Sequence, residues 1–74
     1  MTEEEYNIAL LMAQIIGYTK KNKYTRQMHW TIKPGITCWF DFPNENIAKV
    51  FAESLGEQNY QIDVEGYTTF LNWD

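Results

Sequence analysis

Apolar residues in this chain follow two different periods, and the switches between them mark out the elements. Ile8, Leu11, Met12 and Ile15 recur at i, i+3, i+4 and i+7, the spacing of one helical face. Ala9, Leu10, Ala13 and Ile16 widen that stripe. Thr2 with Glu5 three residues on forms a capping box, and three glutamates in the first turn suit the helix dipole. The pattern predicts a helix over roughly 3–20, with Gly17 as a plausible earlier stop. The period then changes to two. Met28, Trp30 and Ile32 alternate with His29, Thr31 and Lys33, predicting a strand over 27–33. Pro34-Gly35 reads as a turn. A second strand over 36–42 sets Ile36, Cys38, Phe40 and Phe42 on one side and Thr37, Trp39 and Asp41 on the other.

Helical spacing returns with Ile47, Ala48, Val50, Phe51, Ala52 and Leu55, opened by Asn44 as N-cap and closed by Gly56. A third strand over 59–65 alternates Tyr60, Ile62 and Val64 with Gln61, Asp63 and Glu65. Glu65-Gly66 is a weaker turn signal, and 67–73 reads as a fourth, less regular strand. The order α-β-β-α-β-β predicts an α+β two-layer sandwich, a mostly antiparallel sheet with two helices on one face. A right-handed crossover from strand two to strand three would set them parallel and adjacent.

Seventy-four residues make one domain, 1–74, with a thin core. One cysteine excludes an intramolecular disulfide, and one histidine excludes the usual four-ligand zinc site. No cofactor or metal is expected. An aromatic content of 16% supplies large apolar area instead, more than a thin core hides. The N-terminus has no basic and apolar leader, and the run from Ile8 to Ile16 is too short to span a membrane. The expectation is a cytoplasmic protein with a reduced thiol.

Net charge is −4, but it is segregated. Lys20, Lys21, Lys23, Arg26 and Lys33 give +5 between 20 and 33, while the ten acids and Lys49 give −9 elsewhere. Such asymmetry marks either an interaction surface or a solvated loop beside an acidic body.

Catalysis finds little support. Cys38 alternates with core positions, and its predicted face is opposite that of His29, so the pair should not meet. Asp41, Asp63 and Glu65 share an open face that lacks the closed, desolvated pocket of a general acid or base. No phosphate loop or nucleophile elbow is present.

Binding is better supported. Trp39 is a large ring among the outward polar positions, and exposed tryptophans make good anchors. The partner-binding candidates are Trp39, Asp41, Asp63 and Glu65, with Glu3–Glu5 as a secondary patch. Their expected partner is a larger protein, plausibly one that handles nucleic acid, whose basic channel an acidic domain can enter. A second reading is a nucleic-acid binder using Lys20, Lys21, Lys23 and Arg26, with Tyr24 and Trp30 interleaved. A third is a structural subunit or homodimer.

The stretch from Trp39-Phe40-Asp41-Phe42-Pro43-Asn44-Glu45 through the alanine-containing helix to Leu55, and on to Tyr60-Gln61-Ile62, resembles the ribonuclease E inhibitor family, type B. The resemblance covers residues 39–62, about a third of the chain. It implies a ferredoxin-like domain that binds and restrains an RNA-processing enzyme. The chain departs from the family pattern in carrying Asn59 where a glycine usually precedes the tyrosine, and in its basic 20–35 segment. In composition it also resembles small phage-encoded inhibitors of host enzymes.

Overall fold

The computed structural model describes residues 1–27 and 34–72, with the side chains of 26, 27 and 34 excepted. Thr2 opens α1 (Glu3–Ile16): its hydroxyl accepts from the Glu5 N–H, and the Glu5 carboxylate accepts from the Thr2 N–H. Gly17 ends the helix at φ 105°, a left-handed conformation that glycine adopts without a Cβ clash, and its N–H donates to Ala13 O. The helix thus ends four residues before position 20, at the Gly17 stop, and the chain enters the sheet at Lys20.

Four strands follow: β1 (Lys20–Gln27), β2 (Pro34–Asp41), β3 (Gln61–Glu65) and β4 (Thr68–Asn72), with α2 (Glu45–Leu55) between β2 and β3. The sheet is antiparallel throughout, in the order β1-β2-β4-β3. The α+β sandwich of order α-β-β-α-β-β is therefore present. Ring contacts of Phe40 with Tyr6 of α1 and Phe51 of α2 set both helices on one face.

Three expectations need correction. The basic segment 20–27, expected to precede the first strand, is itself strand β1, and the expected strand 27–33 shares only Gln27 with it. This strand lies at the sheet edge, wet along much of its length, so it carries no apolar alternation for the eye to find. Residues 28–33 lie outside the described residues. Pro34-Gly35 is not a turn but the start of β2, paired with Gln27 and Arg26; proline is tolerated at the first residue of a strand. Strands β2 and β3 do run parallel, yet they are not adjacent: β4 lies between them, making β2–α2–β3 a split β-α-β unit.

The core lies between sheet and helices: Ile36, Cys38, Phe40 and Phe42 from β2 and its end, Leu71 from β4, Ala9 and Ala13 from α1, and Ala48, Phe51 and Leu55 from α2. Thr69 is its one buried polar side chain among the described residues, and its hydroxyl donates to Ala48 O at 2.9 Å. Met1 is also buried. Its ammonium donates to Ile36 O and its carbonyl accepts from Ile36 N–H, extending the β4 side of β2 by one bridge.

The expected stripe of α1 is corrected too. Tyr6, Ala9 and Ala13 face the sheet, whereas Ile8, Leu11 and Ile15 face solvent, at 57%, 58% and 76% exposure. A helix apolar on every side does not declare its inner face. Close approach decides it: two alanines let the helix axis settle over the bulky aromatics of β2, where isoleucines would hold it off. On α2 the outcome is nearer expectation, with Val50 alone of its six apolar positions classed as exposed.

Candidate functional site

The face of the sheet away from the helices is the candidate site, and strand parity builds it. Odd positions of β2 and β3 and even positions of β1 and β4 point there. The register then sorts them into rows. Asn22, Trp39, Phe70 and Asp63 form one row across all four strands. Lys20, Asp41, Thr68 and Glu65 form the next. Trp39, Asp41, Asp63 and Glu65, chosen from sequence as a set, thus come together on one surface.

Trp39 is half-buried, and neighbouring rings on the same face account for that. Its ring centroid lies 5.4 Å from that of Tyr24 and 5.8 Å from that of Phe70, both tilted at 46°. Three rings from three strands make a continuous aromatic track. Tyr24 stands 61% exposed at its outer end. Phe70 was not among the residues expected here. The adjacent apolar pair Phe70-Leu71 leaves the parity of this strand open in sequence; the burial of Thr69 and Leu71 turns Phe70 outward.

The carboxylates flank this track. Asp41 accepts from the Thr68 hydroxyl at 2.6 Å, which fixes it beside the row of Trp39. Asp63 accepts from the Asn72 amide at 3.4 Å, a long contact that leaves most of its hydrogen-bonding capacity open. Asp63, Glu65, Phe70, Asn72 and Val64 bound an open depression of about 380 Å³ at the β3 edge.

The basic candidates divide. Lys21 and Lys23 stand opposite Phe40 and Cys38, on the helix side of the sheet. Lys23 pairs with Glu3, and its ammonium lies 4.4 Å from the Tyr6 ring centroid; Lys21 lies 6.0 Å from that of Tyr18. Lys20 is on the open face, beside Asp41. Arg26 is placed by its backbone opposite Gly35. The four do not form one surface. Glu3 is engaged by Lys23, Glu5 closes the capping box, and Glu4 remains exposed, so the secondary acidic patch is partly spent on internal contacts.

Cys38 is buried, and desolvation pushes its thiol up to about 12. Its Sγ lies 3.7 Å from the Met1 sulfur. A protonated thiol in an apolar layer is no nucleophile. His29 lies outside the described residues. Among the described residues no three Asp, Glu, His or Cys side chains stand together as metal ligands. Among them, no helix is long and apolar enough to cross a membrane.

Comparison of the chain with family models, with curated proteins and with solved structures gave no match.

Proposed function

We propose that the chain is a non-enzymatic binding module that docks the open face of its sheet onto a basic surface of a larger protein, as an inhibitor or regulator. The observation that carries this reading is the Tyr24–Trp39–Phe70 track with Asp41, Asp63 and Glu65 beside it. Apolar rings bordered on one side by carboxylates suit the long side chains of arginine and lysine. Their methylene stems lie on the rings while the charged heads reach acids at the rim. The depression beside Phe70 offers such a seat, with Asp63 and Glu65 at its border. Carboxylates along the rings disfavour phosphate, which ranks the nucleic-acid reading lower.

A ferredoxin-like ancestry is part of this proposal. The stretch that resembles the ribonuclease E inhibitor family falls on β2, α2 and the start of β3, the split β-α-β unit. Strands β4 and β1 are parallel with β2 between them, so β4, α1 and β1 would make a second such unit if the chain were read in a circle. On that reading the partner is an RNA-processing enzyme.

The test is a titration of isotope-labelled protein with a short arginine-rich peptide and with its glutamate counterpart, followed by NMR. Shifts at the Trp39 indole, Phe70 and Asp63 with the basic peptide support the face. Shifts scattered over the surface, or equal responses to both peptides, reject it. In capture from lysate, Trp39→Ala should lose most of any partner that the wild type retains, with its circular dichroism unchanged.

A further inference from the structure

Strand β3 is an edge of the sheet, paired through its backbone with β4 alone. Which of its backbone groups face outward follows from the register. Phe42 N–H donates to Tyr67 O, so residues 67, 69 and 71 turn their N–H and C=O toward β2, and 68, 70 and 72 turn theirs toward β3. Opposite those last three stand Glu65, Asp63 and Gln61, whose backbone groups are thereby taken. Ile62 and Val64 are left with their N–H and C=O on the free edge. The register of β3 runs unbroken from Gln61 to Glu65, and the strand holds no proline or lysine, so it lacks the bulge and the residues that commonly blunt an edge. Its surroundings carry one sign of charge. After Lys49 the chain has five acids and no base. Lys20, the base in the row of Glu65, stands three strands away, about 14 Å at the usual strand spacing.

We propose that an extended basic segment of the partner adds to β3 as a fifth strand, antiparallel to it. This mode rests on the open face receiving a basic partner, and it fixes the conformation and the sequence pattern of the segment received. Residues opposite Ile62 and Val64 exchange both backbone hydrogen bonds with them. Their side chains fall on the helix side of the sheet, beside Ile62 and Val64, which are half-buried against the core. That side takes apolar residues. Residues opposite Asp63 and Glu65 project onto the open face, where both carboxylates are exposed. Among the described residues Asp63 has only its 3.4 Å contact with Asn72, so it is free to accept from a new donor. An arginine or lysine there meets the acids with its head and lays its stem in the depression beside Phe70. The occupant is therefore a strand with basic and apolar residues in alternation. Backbone bonds supply its affinity without a broad apolar contact, and the alternating side chains supply its specificity.

The probes are two short peptides of one composition, the first alternating arginine with valine and the second carrying its arginines in one block and its valines in another. The alternating peptide should bind the full chain about tenfold or more tightly, because only it can make the backbone bonds with both side-chain sets correctly placed. Methylating the amide nitrogens of its valines, which face β3, should abolish that advantage; methylating those of its arginines, which face away, should preserve it. Amide hydrogen exchange supplies a second measurement. With about nine-tenths of the protein bound, the N–H groups of Ile62 and Val64 should exchange about tenfold more slowly than in the free chain. Equal affinity for the two peptides, with shifts at Trp39 and Asp63 but unchanged exchange at Ile62 and Val64, overturns the added strand and leaves the basic-partner reading of the open face standing. An open face that responds to neither peptide overturns both. Equal binding of a peptide alternating glutamate with valine also overturns the choice of a basic segment.

Discussion

At Cys38 the alternation of β2 turns the thiol toward the helices, and at Phe70 the alternation of β4 turns a ring away from them. One consequence is chemical. With its pKa pushed up to about 12, Cys38 should resist a thiol reagent at pH 8 in the folded protein and react at the rate of unfolding. A second is thermodynamic. Cys38 and Tyr60 are acids whose folded pKa values are both raised to about 12, from 9.0 and 10.0, by desolvation. Raised values mean that unfolding releases protons at high pH. Their contribution to stability is complete below about pH 9 and is lost as pH rises toward 12. Urea midpoints should fall across that window, and less steeply in Cys38→Ala; a midpoint independent of pH there would contradict the burial of both groups. At Thr69 the hydroxyl ties β4 to α2 through Ala48 O. Thr69→Ala should cost about 1–2 kcal/mol in denaturant unfolding.

Helix α1 shows what an element can conceal. Its apolar residues occupy every side, so periodicity places a helix there without saying which side is inner. Ala9 and Ala13 are fully buried, and they set how closely the helix approaches β2. Ala9→Leu should force the layers apart and cost about 1–3 kcal/mol, measured by thermal unfolding. Ile15→Gln, at a position of 76% exposure, should change stability by no more than about 0.5 kcal/mol. The ordering of those two variants would reverse if the stripe that periodicity first suggests were the buried one. Strand β1 conceals something else. Its Lys21 and Lys23 lie on the helix side, where Glu3, Tyr6 and Tyr18 occupy them, so a basic run in sequence becomes a border for the core and not a basic surface.

For the whole molecule the sheet separates two kinds of work. One face holds the core and both helices, and the other is left for aromatic rings and carboxylates. Charge is distributed along the sheet in the same sense, with lysines on the β1 edge and acids on the β3 edge. An approaching basic partner would be steered toward the β3 side. Asp63→Lys should therefore slow association with an arginine-rich peptide most at low ionic strength, with the difference shrinking as salt rises past about 0.15 M. A difference unaffected by salt would place the role of Asp63 in direct contact and not in steering.

The sequence by itself determined the class of fold and which face of the sheet four of the candidate residues share. Capping residues, two helical periods and two clean alternations at 36–42 and 59–65 sufficed for an α+β sandwich, because local hydrogen bonding and burial of one face leave those segments few alternatives. The same alternation put Trp39, Asp41, Asp63 and Glu65 on one face, since parity is a local property. Neighbours across strands were decided only by the tertiary structure. That β4 separates β2 from β3, and so inserts Phe70 between Trp39 and Asp63, depends on pairing between segments far apart in the chain. The polar edge strand β1 and the outward stripe of α1 were likewise settled by what each segment packs against. An edge strand needs no apolar face of its own, and a helix apolar all round is oriented by where its smallest residues allow the closest approach.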